Sequence, residues 1–110
     1  MGLTEKGTLR YGVEVDGVRH LDFEMRVATL EDMEDAIEEA GEGACAARVS
    51  RHLWAHTLVR LGTLDPKVIT AELLATLPAN EYGQLSAVEE TLRGKLAAAN
   101  VSSESADSQN

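Results

Sequence analysis

The sequence is short of the residues that staple or rigidify small proteins. It has one cysteine, Cys45, so an intrachain disulfide is excluded. Nothing in cysteine usage points to an oxidising compartment. It has two prolines and an aromatic content of only 4%, which leaves Leu, Val and Ala to fill most of a core. It also lacks positive charge. Ten Lys and Arg stand against 19 Asp and Glu, a net charge of −9. Nucleic acid is therefore a poor partner, because affinity for it rests largely on phosphate neutralisation. An anionic membrane is disfavoured on the same ground. No apolar run approaches the roughly 20 residues of a membrane span. The opening MGLTEKGT has no signal-peptide apolar run, and Lys6 stands where a myristoylation motif requires Ser or Thr. A cytoplasmic protein is expected, with no nucleic-acid or membrane partner.

What is present is enough for one domain. With 110 residues and 44% hydrophobic side chains, the chain is expected to be globular. The stretch Cys45 to Leu61 contains neither Gly nor Pro. At about 100° per residue it gathers Ala46, Ala47, Ser50, Leu53, Trp54, Thr57, Leu58 and Leu61 on one arc, with Arg48, His52, His56 and Arg60 opposite and Arg51 at the border. It predicts a helix over 45–61 whose inner face carries the only Trp.

The rest organises around that helix. Residues 1–7 are expected to be flexible. Leu9, Tyr11, Val13, Val15 and then Leu21, Phe23, Met25, Val27 alternate about Asp16-Gly17, which predicts a β-hairpin over 8–27. A two-residue turn would set Val13 opposite His20 and Tyr11 opposite Asp22, apolar against polar. A three-residue loop, Val15-Asp16-Gly17, with a bulge at Gly17, pairs Glu14 with Val18. It sets Tyr11 against Leu21 and Leu9 against Phe23, so that register is preferred. Thr29, with Asp32 three residues on, forms a capping box opening a helix over 30–40, and Gly41 closes it. Leu30, Met33, Ala36, Ile37 and Ala40 are its expected inner face. Glu38 and Glu39 are placed to reach Arg48 or Arg51. Thr70 caps a short helix over 71–77, and Asn80 caps one over 81–98 with Leu85, Val88, Leu92 and Leu96 in a stripe. Residues 99–110 read as a disordered tail. The class is α+β: an N-terminal antiparallel hairpin packed on three to four helices. The expected core is Leu9, Tyr11, Leu21, Phe23, Ile37, Leu53, Trp54, Leu58 and Leu61.

Motifs for chemistry are sparse. His52 and His56 have the i, i+4 spacing of a metal pair, but LWA between them lacks the glutamate of a zincin, and a third ligand would have to come from His20 or an acid. They read as a solvated face. Cys45 near a helix start would have a lowered pKa, yet no nucleophile signature surrounds it. The acids from Glu31 to Glu42 lack a calcium-loop pattern. There is no phosphate loop and no GxSxG. No enzyme, cofactor, catalytic residue or metal is expected. The candidate partner-binding residues are an acidic arc, Glu31, Glu34, Asp35 and Glu38, and a C-terminal stripe, Leu73, Leu77, Tyr82, Leu85 and Leu92.

The run Leu9-Arg10-Tyr11-Gly12-Val13-Glu14-Val15-Asp16-Gly17, then Phe23-Glu24-Met25-Arg26 and Ala28-Thr29-Leu30-Glu31-Asp32, resembles the opening of Mu-like phage tail assembly chaperones. Leu58-Val59-Arg60-Leu61-Gly62-Thr63-Leu64, Ile69-Thr70-Ala71-Glu72-Leu73-Leu74 and Leu77-Pro78-Ala79-Asn80-Glu81-Tyr82 with Leu85 continue the likeness, which spans roughly Thr8 to Leu96. Asn80 stands where that family has Asp, and both residues cap helices. The resemblance implies a non-catalytic helper of phage or prophage origin in the bacterial host cytoplasm. It would coat the tape measure protein, keep it soluble, recruit tail tube subunits, self-associate, and be absent from the mature virion. A structural tail component, such as a tube or tail completion protein, is the alternative. A metal-dependent enzyme using His52 and His56 is a third reading.

Overall fold

The chain begins with a long hairpin whose turn is set by two left-handed residues. In the structure, a computed structural model that describes residues 3–108, strand β1 (Thr4–Val15) pairs antiparallel with β2 (Val18–Arg26). Asp16 and Gly17 have φ of 52° and 79°, the pattern of a two-residue type I′ turn, and Val15 pairs with Val18. The three-residue loop expected from the sequence is thus replaced by the shorter one. Val13 does face His20, but the side chains are compatible: both are buried, and His20 Nδ1 accepts the Thr63 amide at 3.2 Å. The ladder then breaks. Thr8 pairs with Asp22 and Gly7 with Phe23, so residues 9–12 bulge while β2 advances by Leu21 alone. Leu9 goes into the core, and Tyr11, expected there, is 49% exposed. β1 also starts earlier than expected. Thr4 to Gly7, placed in a flexible segment by the sequence, find ladder partners in Arg26 to Phe23. Met1 and Gly2 of that segment lie outside the described residues.

Helix α1 (Leu30–Ala40) carries the expected capping box: Thr29 Oγ1 accepts the Asp32 amide at 3.1 Å, and Asp32 Oδ2 accepts the Thr29 amide at 2.8 Å. Gly41 donates its amide to the Ile37 carbonyl and ends the helix. The face it buries is not the one the apolar spacing predicts. Asp32 and Ala36 are buried, whereas Leu30, Met33 and Ile37 are 72%, 45% and 52% exposed. Arg26 explains the rotation. Its guanidinium holds Asp32 at 2.6 and 3.1 Å and donates to the His56 carbonyl at 2.9 Å. Bidentate pairing of this kind outweighs a modest apolar stripe, and it clasps β2, α1 and α2 along the Asp32 edge. The Arg26 bonds, with the Thr29 cap behind them and against the opposing effect of burial, hold the Asp32 carboxyl far below the usual carboxylate range.

Helix α2 runs Ala46–Thr57 and stops four residues short of the sequence expectation. Leu58–Leu61 becomes strand β3 on the free edge of β2, giving a sheet ordered β1-β2-β3. Leu61 pairs with Phe23, Arg60 with Glu24 and Leu58 with Met25, so Val59 is an extra residue. That bulge places Leu58 and Leu61 in the core together and turns Val59 outward. A further helical turn would have left the β2 edge unpaired.

After a 3₁₀ turn at Pro66–Val68, helix α3 (Ala71–Leu74) is shorter than the expected 71–77, although Thr70 caps it as foreseen, accepting the Leu73 amide at 3.2 Å. A second 3₁₀ turn, Ala79–Glu81, leads into helix α4 (Tyr82–Ser108). Asn80 therefore lies within that turn and does not cap the helix. The helix also runs through the expected disordered tail to Ser108, because after Gly94 the sequence offers Ala97–Ala99 and no Gly or Pro to stop it. Gln109 and Asn110 lie outside the described residues. The core joins Leu9, Val13, Phe23, Met25, Trp54, Leu58, Leu61, Ile69, Leu74, Leu85 and Leu92, with Leu21 packed at its margin. Leu53 is buried as well, while Ile37, expected in the core, lies on the surface.

Candidate partner-binding groove

The bulge in β1 leaves consecutive amides without ladder partners, and one side chain takes them up. Glu81 Oε1 accepts the Arg10 amide at 2.8 Å, and Oε2 accepts those of Tyr11 and Gly12 at 2.7 and 2.8 Å. Successive amides turned to one point form an anion nest. Here the anion is the chain's own carboxylate, 1% exposed. Burial pushes the Glu81 pKa up, but the three amides, with the nearby Arg10 charge, outweigh it and hold the group below its usual value. Gln84, one helical turn on, donates to the Thr8 carbonyl at 3.1 Å. These bonds fasten the start of α4 to β1.

With α4 tied to β1 and α2 facing α3, an open apolar groove of about 640 Å³ remains between them. Ala47, Arg48, Arg51 and Trp54 of α2 form one wall, and Leu74, Leu77, Tyr82 and Leu85 form the other. Trp54 is almost fully buried and meets Tyr82 edge-on, with ring centroids 5.0 Å apart. The Tyr82 hydroxyl donates to Ser50 Oγ at 3.3 Å across the same side. Trp54 Nε1 has no hydrogen-bond partner among the described residues. Cys45 stands exposed at the groove's α2 end, its thiol pKa lowered by the Arg48 amide, then by that of Ala47, against the cost of desolvation.

The structure brings Leu77, Tyr82 and Leu85 of the expected binding residues to this groove. Leu73 packs half-buried against the core. Leu92 lines a smaller hollow of about 290 Å³ between the start of α1 and α4, with Leu30, Met33, Thr57 and Leu96. The acidic arc is elsewhere: Glu31, Glu34 and Glu38 are exposed and Asp35 half-buried on α1, which contributes nothing to the groove. The leucine stripe is therefore divided, and its groove part, Leu77, Tyr82 and Leu85, is a surface separate from the acidic arc. Sequence reading missed Arg48, Arg51 and Glu81. Arg48 falls on the polar side of a helical projection and Arg51 at its border, and Glu81 looks like one more surface acid. The only available hint was its place directly after Asn80, at a helix start.

The histidines are engaged differently from expectation. Glu39 of α1 lies 3.4 Å from His52 Nδ1 and 3.0 Å from His56 Nε2. Both rings are partly covered, so they clasp α1 to α2 and do not form a solvated face. Glu39 meets these rings and not Arg48 or Arg51. His20 is buried on Thr63, away from them. No group of three or more His, Cys, Asp or Glu among the described residues is arranged to hold a metal ion. Among the described residues no helix is long and apolar enough to cross a membrane.

Comparison of the chain with protein-family models, with curated proteins and with solved structures gives no match.

Proposed function

We propose that this chain binds another polypeptide and acts as a tail assembly chaperone of the Mu-like kind. It holds the tape measure protein soluble in the bacterial host cytoplasm, helps recruit tail tube subunits, and leaves before the virion is complete. The observation that carries the binding role is the groove: an open apolar trough lined by Trp54 on the α2 side and by Leu74, Leu77 and Leu85 on the other. Burying one Leu or Phe side chain there contributes about 1.5–3 kcal/mol, so a few anchors at helical spacing suffice for docking. Many copies along a long partner would gain further from multivalency. The choice of partner is supported by the sequence resemblance, which runs through Leu77, Tyr82 and Leu85 of the groove itself.

The test is co-expression with a tape measure protein of a Mu-like phage. A soluble complex that co-purifies, and that is lost when Leu77→Asp is introduced, supports the reading. An insoluble tape measure protein with no co-purification overturns it. Mass spectrometry of purified particles decides between a chaperone and a structural tail component, since only the latter remains in finished tails.

A further inference from the structure

We propose that the occupant of the groove is an acidic amphipathic helix of a different polypeptide, with apolar side chains on one face and Glu or Asp on its flanks. The proposal rests on reading the groove as a docking site and specifies the chemistry of what docks there.

The placement of positive charge carries it. On a chain of net charge −9 with ten Lys and Arg, half of these cations are occupied by acidic neighbours. Arg19 pairs with Glu14, Arg26 with Asp32, Arg60 with Glu24, Arg93 with Glu89 and Glu90, and Lys95 with Glu5. Lys6, Arg10, Arg48, Arg51 and Lys67 make no ion pair among the described residues, and of these Arg48 and Arg51 line the groove. Arg51 is held in place through Nη1, which donates to the Ala71 carbonyl at 2.8 Å, and Arg48 is exposed. The one carboxylate in the lining, Glu81, is turned onto the Arg10, Tyr11 and Gly12 amides and is not presented to an occupant. The start of α2 lies at the same end, so the positive end of the helix dipole adds to the two arginines. The groove is thus apolar in its floor and positive along its α2 wall, on an otherwise acidic protein. A basic helix would bring Lys or Arg against Arg48 and Arg51, and like charges brought together at an interface oppose docking. An acidic flank makes ion pairs there, and the apolar face fills the trough in the helix-in-groove mode. The exposed stripe of α1 has this same character, with Leu30, Met33 and Ile37 beside Glu31, Glu34 and Glu38. A second copy of the chain is therefore the competing occupant.

Two synthetic peptides of about 18 residues, long enough for helix formation, test this with the full chain at physiological salt. Both carry leucines at i, i+3, i+4 and i+7; one has glutamate flanks, the other lysine. Trp54 is the only tryptophan and lines the groove, so its fluorescence reports occupancy. The glutamate peptide is expected to shift Trp54 emission saturably. Arg48→Glu should weaken it by about tenfold while strengthening the lysine peptide. Ala47→Tyr, which fills the trough from an exposed position, should weaken both peptides with the circular dichroism spectrum unchanged. If the lysine peptide binds at Trp54 as tightly as the glutamate peptide, and Arg48→Glu alters neither, an acidic occupant is wrong while the docking groove stands. If neither peptide moves Trp54, the groove reading itself falls. Self-association in sedimentation that Arg48→Glu abolishes puts α1 of a second copy in the groove and overturns a different polypeptide.

Discussion

Glu81 is the residue on which the junction between the hairpin and the C-terminal helix depends, and replacing it by Gln is a stringent test. Gln keeps the volume but offers one carbonyl oxygen and an NH₂ group where the carboxylate met three amide donors. At least one of the Arg10, Tyr11 and Gly12 amides then faces another donor. A hydrogen bond to a charged group contributes about 1.5–3 kcal/mol, and a buried donor left unsatisfied costs about 1–3 kcal/mol. Loss of charge assistance plus one orphaned amide gives an expected destabilisation of about 3–4 kcal/mol for Glu81→Gln. Glu81→Ala, which orphans all three amides and opens a void, should cost at least about 2 kcal/mol more. Against a typical total of about 5–15 kcal/mol, either variant is a large loss. Urea unfolding followed by Trp54 fluorescence should show the midpoint fall with an unchanged slope, since the buried area hardly differs. The pH dependence has a definite sign. The folded-state pKa of Glu81 lies below its usual value of 4.5, so its stabilisation is present above that pH and is lost as pH falls through the folded value. The gap between the native chain and Glu81→Gln should therefore be widest near neutrality and shrink in acid. A penalty under about 1 kcal/mol at neutral pH, or a gap that does not narrow in acid, would refute this account of the bulge.

Other perturbations follow from the same geometry. Asp32→Ala removes a bidentate partner of Arg26 and half of the capping box, and should cost about 2–4 kcal/mol in chemical denaturation. Because the Asp32 pKa is also depressed, its contribution belongs to the range above the ordinary carboxylate pKa and fades on acidification; an Asp32→Ala penalty that grows in acid would contradict the ion pair. Gly12 has φ +74°, and a Cβ there would lie 2.3 Å from the His20 carbonyl oxygen, whereas one at Gly17, φ +79°, meets nothing within 4 Å. Gly17→Ala should cost about 1 kcal/mol from backbone conformation alone, and Gly12→Ala clearly more; equal thermal shifts would count against the bulge geometry. Ile37→Ser should change stability by under about 0.5 kcal/mol because Ile37 is on the surface, while Phe23→Ala should cost about 3–5 kcal/mol. A large loss for Ile37→Ser would restore the inner face expected from periodicity.

Local features of this chain were legible in its residues because the forces behind them act over a few positions. Alternation about Asp16-Gly17 specified a hairpin, Thr29 with Asp32 specified a cap, Gly41 an end, and the Cys45 to Leu61 stretch a helix with Trp54 inward, of which the structure keeps Ala46–Thr57. Together they made an α+β domain the expected class, and the structure has it. Side-chain lists for one face were less reliable wherever a polar group could bury with a partner. The buried pairing of His20 with Thr63 admitted the shorter turn, and the Arg26–Asp32 clasp turned α1 so that Leu30, Met33 and Ile37 face out.

Only the tertiary structure decided the remainder, since those features depend on groups distant in sequence. Leu58 to Leu61 leave the helix because the β2 edge offers hydrogen bonds that no local propensity records. Glu81 becomes a buried anchor because the β1 bulge, some seventy positions earlier, presents amides to it. The groove exists because that anchor fixes where α4 begins relative to α2. Hydrophobic periodicity and capping are properties of a segment, while a cavity, an edge or a nest is a property of how segments meet.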